Sequence, residues 1–188
     1  MAATRQRTKR GKGDRGRVHL YVGISLDGYV AGPDHDLTFL EPYQDARAGF
    51  VPFSKTIGST IMGRTTYDVA VAGGFGGDFG MPAYVMTTRP IPSRTDVIPS
   101  SGDLAALVDS IREQHPRDIW LMGGGKVAMA FAAENLIDIW TVAFVPAVLG
   151  AGIPMFPSGA FREQRLRLVK THSYKSGVVE LRYERSTP

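Results

Sequence analysis

Asp118-Ile119-Trp120-Leu121-Met122-Gly123-Gly124-Gly125-Lys126-Val127-Ala128-Met129-Ala130-Phe131-Ala132-Ala133-Glu134 reads in one pass as strand, turn and helix. Residues 118–122 are a buried strand, Gly123, Gly124 and Gly125 a tight connection, and residues 126–134 a helix whose alanines suit close packing on a sheet. Three glycines at such a junction let a ligand approach the backbone closely, and the amides at a helix N-terminus favour an anion. The spacing matches neither the phosphate-binding loop that closes on Lys-Ser/Thr nor the dinucleotide fingerprint with its spaced glycines. Taken alone, the segment fits a phosphate site and a plain tight turn alike.

Working outward, Val18, Leu20, Val22 and Ile24 alternate with His19, Tyr21, Gly23 and Ser25, the period of a strand. Gly28, Gly32 and Pro33 then open a long loop, and residues 45–56 allow a helix interrupted or started at Pro52. A short strand over 59–62, a helix over 65–72, a mobile glycine-dense loop over 73–80 and a strand over 83–87 follow. Leu104, Leu107, Val108 and Ile111 recur at helical spacing behind the candidate caps Ser101 and Asp103, which predicts a helix to Gln114. Downstream, residues 137–145 are an almost unbroken apolar run, and residues 165–171 and 178–184 alternate like a terminal hairpin. The fold class is therefore α/β: a mixed, mainly parallel sheet with an antiparallel C-terminal edge, in one domain.

Composition narrows the chemistry. The 188 residues are 43% hydrophobic, enough for one continuous core, and include no cysteine, so disulfides, thiolate zinc sites and cysteine nucleophiles are ruled out. No apolar run reaches the ~18 residues of a membrane span, and no apolar stretch follows the basic N-terminus as in a signal peptide, so a cytoplasmic address is expected. The net charge of +4 is unevenly placed. Arg5, Arg7, Lys9, Arg10, Lys12, Arg15 and Arg17 face only Asp14, which gives residues 1–17 a net +6 and leaves residues 18–188 at −2. Residues 1–17 read as a disordered basic tail on a body, 18–188, that is a poor nucleic-acid platform. His19, His35, His115 and His172 show no metal spacing. No Gly-x-Ser-x-Gly elbow is present, and Trp120 and Trp140 sit in strands that look buried.

Two further segments repeat the strand-end theme. Met62-Gly63-Arg64-Thr65-Thr66-Tyr67 sets a cation and two hydroxyls at a strand-to-helix junction, and Thr87-Thr88-Arg89-Pro90 does the same after the next strand. Each also fits an ordinary cap or turn. On one sheet edge, the three would together suit one extended, polyphosphate-bearing ligand. Within Ser25-Leu26-Asp27-Gly28, Asp27 is a candidate to orient a substrate or relay a proton with help from Ser25, or simply a turn residue. Gly150 and Gly152 suit either a substrate sugar phosphate or a bulge.

These segments, with the stretch Val148-Leu149-Gly150-Ala151-Gly152-Ile153-Pro154-Met155-Phe156, occur in the order found in the dihydrofolate-reductase-like superfamily. The chain most resembles single-domain relatives of the C-terminal reductase of the bacterial riboflavin-biosynthesis deaminase/reductase, over residues 18–184. The resemblance implies a three-layer fold with helices on both faces of the sheet, and a homodimer meeting through residues 137–145 and the C-terminal strands. It implies NADPH, with Gly63, Arg64, Thr65 and Thr66 on its phosphates, Thr87, Thr88 and Arg89 around the 2′-phosphate, and Gly123, Gly124, Gly125, Lys126 and Val127 beneath the pyrophosphate. The implied reaction is hydride transfer to a pyrimidine-type substrate, like that of 5-amino-6-(5-phosphoribosylamino)uracil reductase. Dihydrofolate reduction fits less well, because the buried carboxylate of that enzyme falls here on Arg47, and Asp45 or Glu41 would have to shift into the site. A module that binds NADPH without catalysis is the remaining alternative.

Overall fold

The computed structural model describes residues 15–75, 79–159 and 163–186. Six strands run parallel: β1 (Val18–Ser25), β3 (Ile57–Gly63), β4 (Ala83–Met86), β5 (Val97–Ser100), β6 (Asp118–Gly123) and β7 (Ile139–Val145). With β9 (Leu166–Ser173) and β10 (Val179–Arg185) they form one sheet in the order β5-β4-β3-β6-β1-β7-β10-β9. Only β10 runs against its neighbours, so the terminal hairpin supplies the expected antiparallel edge. A small second sheet pairs β2 (Tyr29–Ala31) with β8 (Ile153–Pro154).

Helices cover both faces. From α3 (Leu104–Gln114), Leu104, Val108 and Ile111 join Ala128, Phe131 and Ala132 of α4 (Gly125–Ala133) over Leu20, Ile24, Ile61, Leu121 and Val142. Burying these side chains is worth about 1.5–3 kcal/mol for each large one, which makes this layer the main stabilising core. On the opposite face α2 (Arg64–Ala70) sets Tyr67 against Met62 and Val85, while α1 (Arg47–Ser54) packs Phe50 and Phe53 edge-on against Trp120. Asp103 caps α3, its carboxylate accepting the Ala106 amide at 2.9 Å; Ser101 has no such role.

Several expectations change. Helix α1 runs through Pro52 instead of breaking there. Residues 71–75 continue α2 as a wider turn, Val71–Phe75, and residues 76–78 of the glycine-dense loop lie outside the described residues. Residues 1–14 of the basic tail also lie outside them, but 15–17 are part of the body. Gly16 is buried, its carbonyl accepts the Arg112 guanidinium at 2.8 Å, and the Arg17 amide donates to Asp118 at 2.8 Å. Residues 16 and 17, which sequence alone groups with the tail, thus bond to the body. The apolar strand β7 lies inside the sheet between β1 and β10, with every residue but Phe144 buried. β9 forms one edge of the sheet, where Leu168 and Val169 are 50% and 43% exposed. Trp140 is core, 5% exposed, whereas Trp120 points to the other face and is half-buried.

Candidate active site

Because β1, β3, β4, β6 and β7 are parallel, their C-terminal ends open on one edge, where ligands of such sheets bind. The Gly63 turn after β3 and the glycine turn after β6 meet directly. The Gly124 amide donates to Thr66 Oγ1 at 2.9 Å, and a Cβ on Gly63 would lie 3.0 Å from Val127 Cγ2. The first bond of α4 runs from the Ala128 amide to the Gly124 carbonyl at 3.0 Å. That leaves the amides of Gly125, Lys126 and Val127 without a partner inside the helix, as an anion-binding N-terminus requires. A Cβ on Gly125 would stand 2.6 Å from the Pro154 carbonyl, so this glycine is needed for packing against β8.

Arg64 is held in place. Its Nε donates to both carboxylate oxygens of Asp68, at 2.8 and 3.0 Å, and Nη1 donates to the Pro90 carbonyl at 2.9 Å. The last contact carries the Arg64 guanidinium to the turn after β4, where Thr87 Oγ1 accepts the Arg89 amide at 3.0 Å. The three segments thus do share one edge. Their cation, hydroxyls and free amides match the donor set a dinucleotide with a pyrophosphate needs.

The Asp27 turn works differently. Ser25 Oγ donates to Asp27 Oδ1 at 2.6 Å and accepts the Tyr29 amide at 2.9 Å; the Leu149 and Gly150 amides donate to the same carboxylate, the latter at 2.7 Å. The Ser25 hydroxyl first, and then these amides, hold the carboxyl down at about 2. Through these bonds the Asp27 carboxylate fastens the loop after β7 to the turn after β1. The same bonds consume Gly150 as an anion donor. Gly152, at φ +145°, is required by packing, since a Cβ there would lie 2.2 Å from the Ala31 carbonyl. Asp45 is likewise engaged, accepting the Ser176 amide at 2.9 Å in the β9–β10 turn.

Below this edge, on the α1 and α2 face, a cavity of about 460 Å³ is lined by Phe50, Ser54, Ile57, Thr60, Phe79, Gly80, Met81, Trp120 and Met122. Met122 directly precedes the glycine turn, so cavity and edge adjoin. None of these residues was singled out as a site residue from sequence. The signal present was the alternation in Asp118–Gly123, which sends Trp120 and Met122 to the face opposite Ile119 and Leu121. Further along this face Tyr21 donates to Glu180 at 2.5 Å; burial, then that bond, raises the tyrosine pKa. His19 is buried and shares a 2.7 Å hydrogen bond with Thr141; burial, then Arg182, lowers its pKa to about 3, so it is a neutral structural group. Among the described residues no cluster suits a metal ion, and no helix is long and apolar enough to cross a membrane.

The sequence pattern of the RibD C-terminal domain family matches residues 17–180. The uncharacterized protein YwjB of Bacillus subtilis is 29% identical over 170 residues, 89% of this chain and 97% of that one. Among solved structures, a protein of Shewanella sp. PV-4, provisionally named a riboflavin biosynthesis protein, is similar with a TM-score of 0.79 at 23% identity, over 91% of this chain and 99% of that one. Dihydrofolate reductase from Enterococcus faecalis, complexed with NADP(H), is similar at a TM-score of 0.65 and 14% identity, over 92% and 98%. At these identities the two structures bear on the fold, which is dihydrofolate-reductase-like.

Proposed function

Since the chain belongs to the RibD C-terminal domain family, we propose that it is an NADPH-dependent oxidoreductase that passes hydride to a flat, pyrimidine-type heterocycle. The observation that carries this reading is the bond from the Gly124 amide to Thr66, which joins two candidate phosphate-binding turns into one surface beside the cavity. When bound, NADPH would supply a hydride to a ring or imine carbon, with a proton going to the adjacent nitrogen. The amides of Gly125, Lys126 and Val127 would receive the pyrophosphate. Arg64 with Thr66, and Arg89 with Thr87 and Thr88, would hold the remaining phosphate charge. Asp27 and Ser25 would act by fixing the loop at residues 148–150, and the cavity would hold the acceptor against Trp120 and Phe50. A cytoplasmic, soluble enzyme and a homodimer that meets through the exposed β9 edge complete the reading.

Titration with NADPH and NADH in parallel, followed by quenching of Trp120 fluorescence, tests it. Saturable binding that favours NADPH, and that weakens by about tenfold in Arg64→Ala, is expected for the loss of one charge-assisted contact. Absence of binding by either cofactor to folded protein would remove the reductase reading.

A further inference from the structure

Three polar side chains meet the cavity wall, and the hydrogens of all three are already committed. Ser54 Oγ donates to the Val51 carbonyl at 3.0 Å, and Thr60 Oγ1 to the Trp120 carbonyl at 3.0 Å. The Trp120 indole N–H donates to the Tyr21 carbonyl at 3.2 Å. What remains toward the cavity is acceptor lone pairs on two hydroxyl oxygens, the rings of Phe50, Phe79 and Trp120, and the thioethers of Met81 and Met122. Among the described residues that line it there is no lysine, arginine or histidine. The loop that sequence alone offered as a sugar-phosphate site has its Gly150 amide bonded to Asp27. An anion entering this wall would lose hydration with no uncommitted side-chain donor among the described lining residues to replace it, which is unfavourable.

From this we infer that the acceptor pocket takes a flat, uncharged ring carrying N–H donors and rejects acceptors bearing a phosphate or other anion. The inference rests on the reductase reading for its role, and it narrows that reading's substrate class away from phosphoribosyl pyrimidines. The aromatic walls would stack on the ring faces, while Ser54 and Thr60 would accept from ring N–H groups. A volume near 460 Å³ accommodates a two-ring heterocycle.

The test is calorimetric titration of the full chain with quinazolin-4-one and, separately, with 4-oxoquinazoline-6-carboxylate, which differ by one anionic group. Saturable binding of the neutral ring, at least about tenfold tighter than the carboxylate, is expected. Ser54→Arg places a cation in the wall and should reverse that order; Met81→Arg serves if the first variant does not fold. Equal binding of both probes, no binding of the neutral ring, or an unchanged order in a folded cation variant would overturn the inference. The NADPH titration decides the reductase reading separately. Neutral-ring binding without NADPH binding would keep the pocket and lose the enzyme, and the converse would keep the enzyme and lose this pocket.

Discussion

The two glycine turns at the open edge of the sheet, residues 123–125 after β6 and residues 150–152 after β7, look alike in sequence and use their backbone amides in opposite ways. In the first, Thr66 takes one amide and the start of α4 leaves the next three free. In the second, Asp27 takes the Gly150 amide, and Gly152 is there because the Ala31 carbonyl leaves no space for a side chain. A glycine-rich turn is thus a ligand site only where the surrounding chain leaves its donors unspent. Here a carboxylate 123 residues away in sequence makes the difference.

The steepest way to sharpen that contrast is within the second turn. Gly152→Ala would drive a Cβ into the Ala31 backbone and is expected to cost about 3 kcal/mol, lowering the melting temperature by roughly 6–12 °C. Gly150→Ala meets open space at φ +72° and should cost only about 1 kcal/mol, the left-handed penalty. Equal losses at the two positions would break the argument that packing, not conformation alone, selects Gly152.

Next comes the link between the turns. Thr66→Val removes the acceptor of the Gly124 amide and should weaken NADPH binding by about fivefold with a melting temperature within a few degrees of the parent. Unchanged affinity would mean that the two turns do not act as one surface.

The Asp27 staple is tested by pH. Its folded-state pKa of about 2 lies below the ordinary 3.8, so the unfolded chain binds the proton first as pH falls. The stability it contributes is complete above about pH 4 and disappears as pH drops through about 2. Asp27→Asn should therefore melt below the parent at pH 6, and the gap between the two should close toward pH 2. A gap that persists at pH 2 would assign the effect to shape instead of charge.

The smallest effect concerns charge at the first turn. Asp68 holds Arg64 Nε at 2.8 Å and offsets its charge, so Asp68→Asn should tighten NADPH binding by about two- to threefold. Titration at two salt concentrations checks this, since the gain should shrink as salt rises.

Local pattern carried much of the fold. The alternation in residues 18–25, the helical spacing of Leu104, Leu107, Val108 and Ile111, and the strand-glycine-helix order at residues 118–134 each appear where expected, within a residue or two at their ends. The short strands β2, β5 and β8 were not legible. β5 contains Pro99, which is tolerated because the strand lies at the sheet edge, and β2 and β8 are only three and two residues long, held by each other.

The sequence by itself determined the α/β class and the three polar turns that a parallel sheet gathers on one edge, because those properties follow from periodicities of a few residues, while the family was carried by the resemblance of several motifs in order. Only the tertiary structure decided which turn keeps free donors, that Asp27 is a fastening, that β7 is interior, and that Trp120 and Phe50 wall a cavity. Each of these depends on which distant groups share a hydrogen bond or a face, and residues 27 and 149, or 50 and 120, carry no local mark of each other.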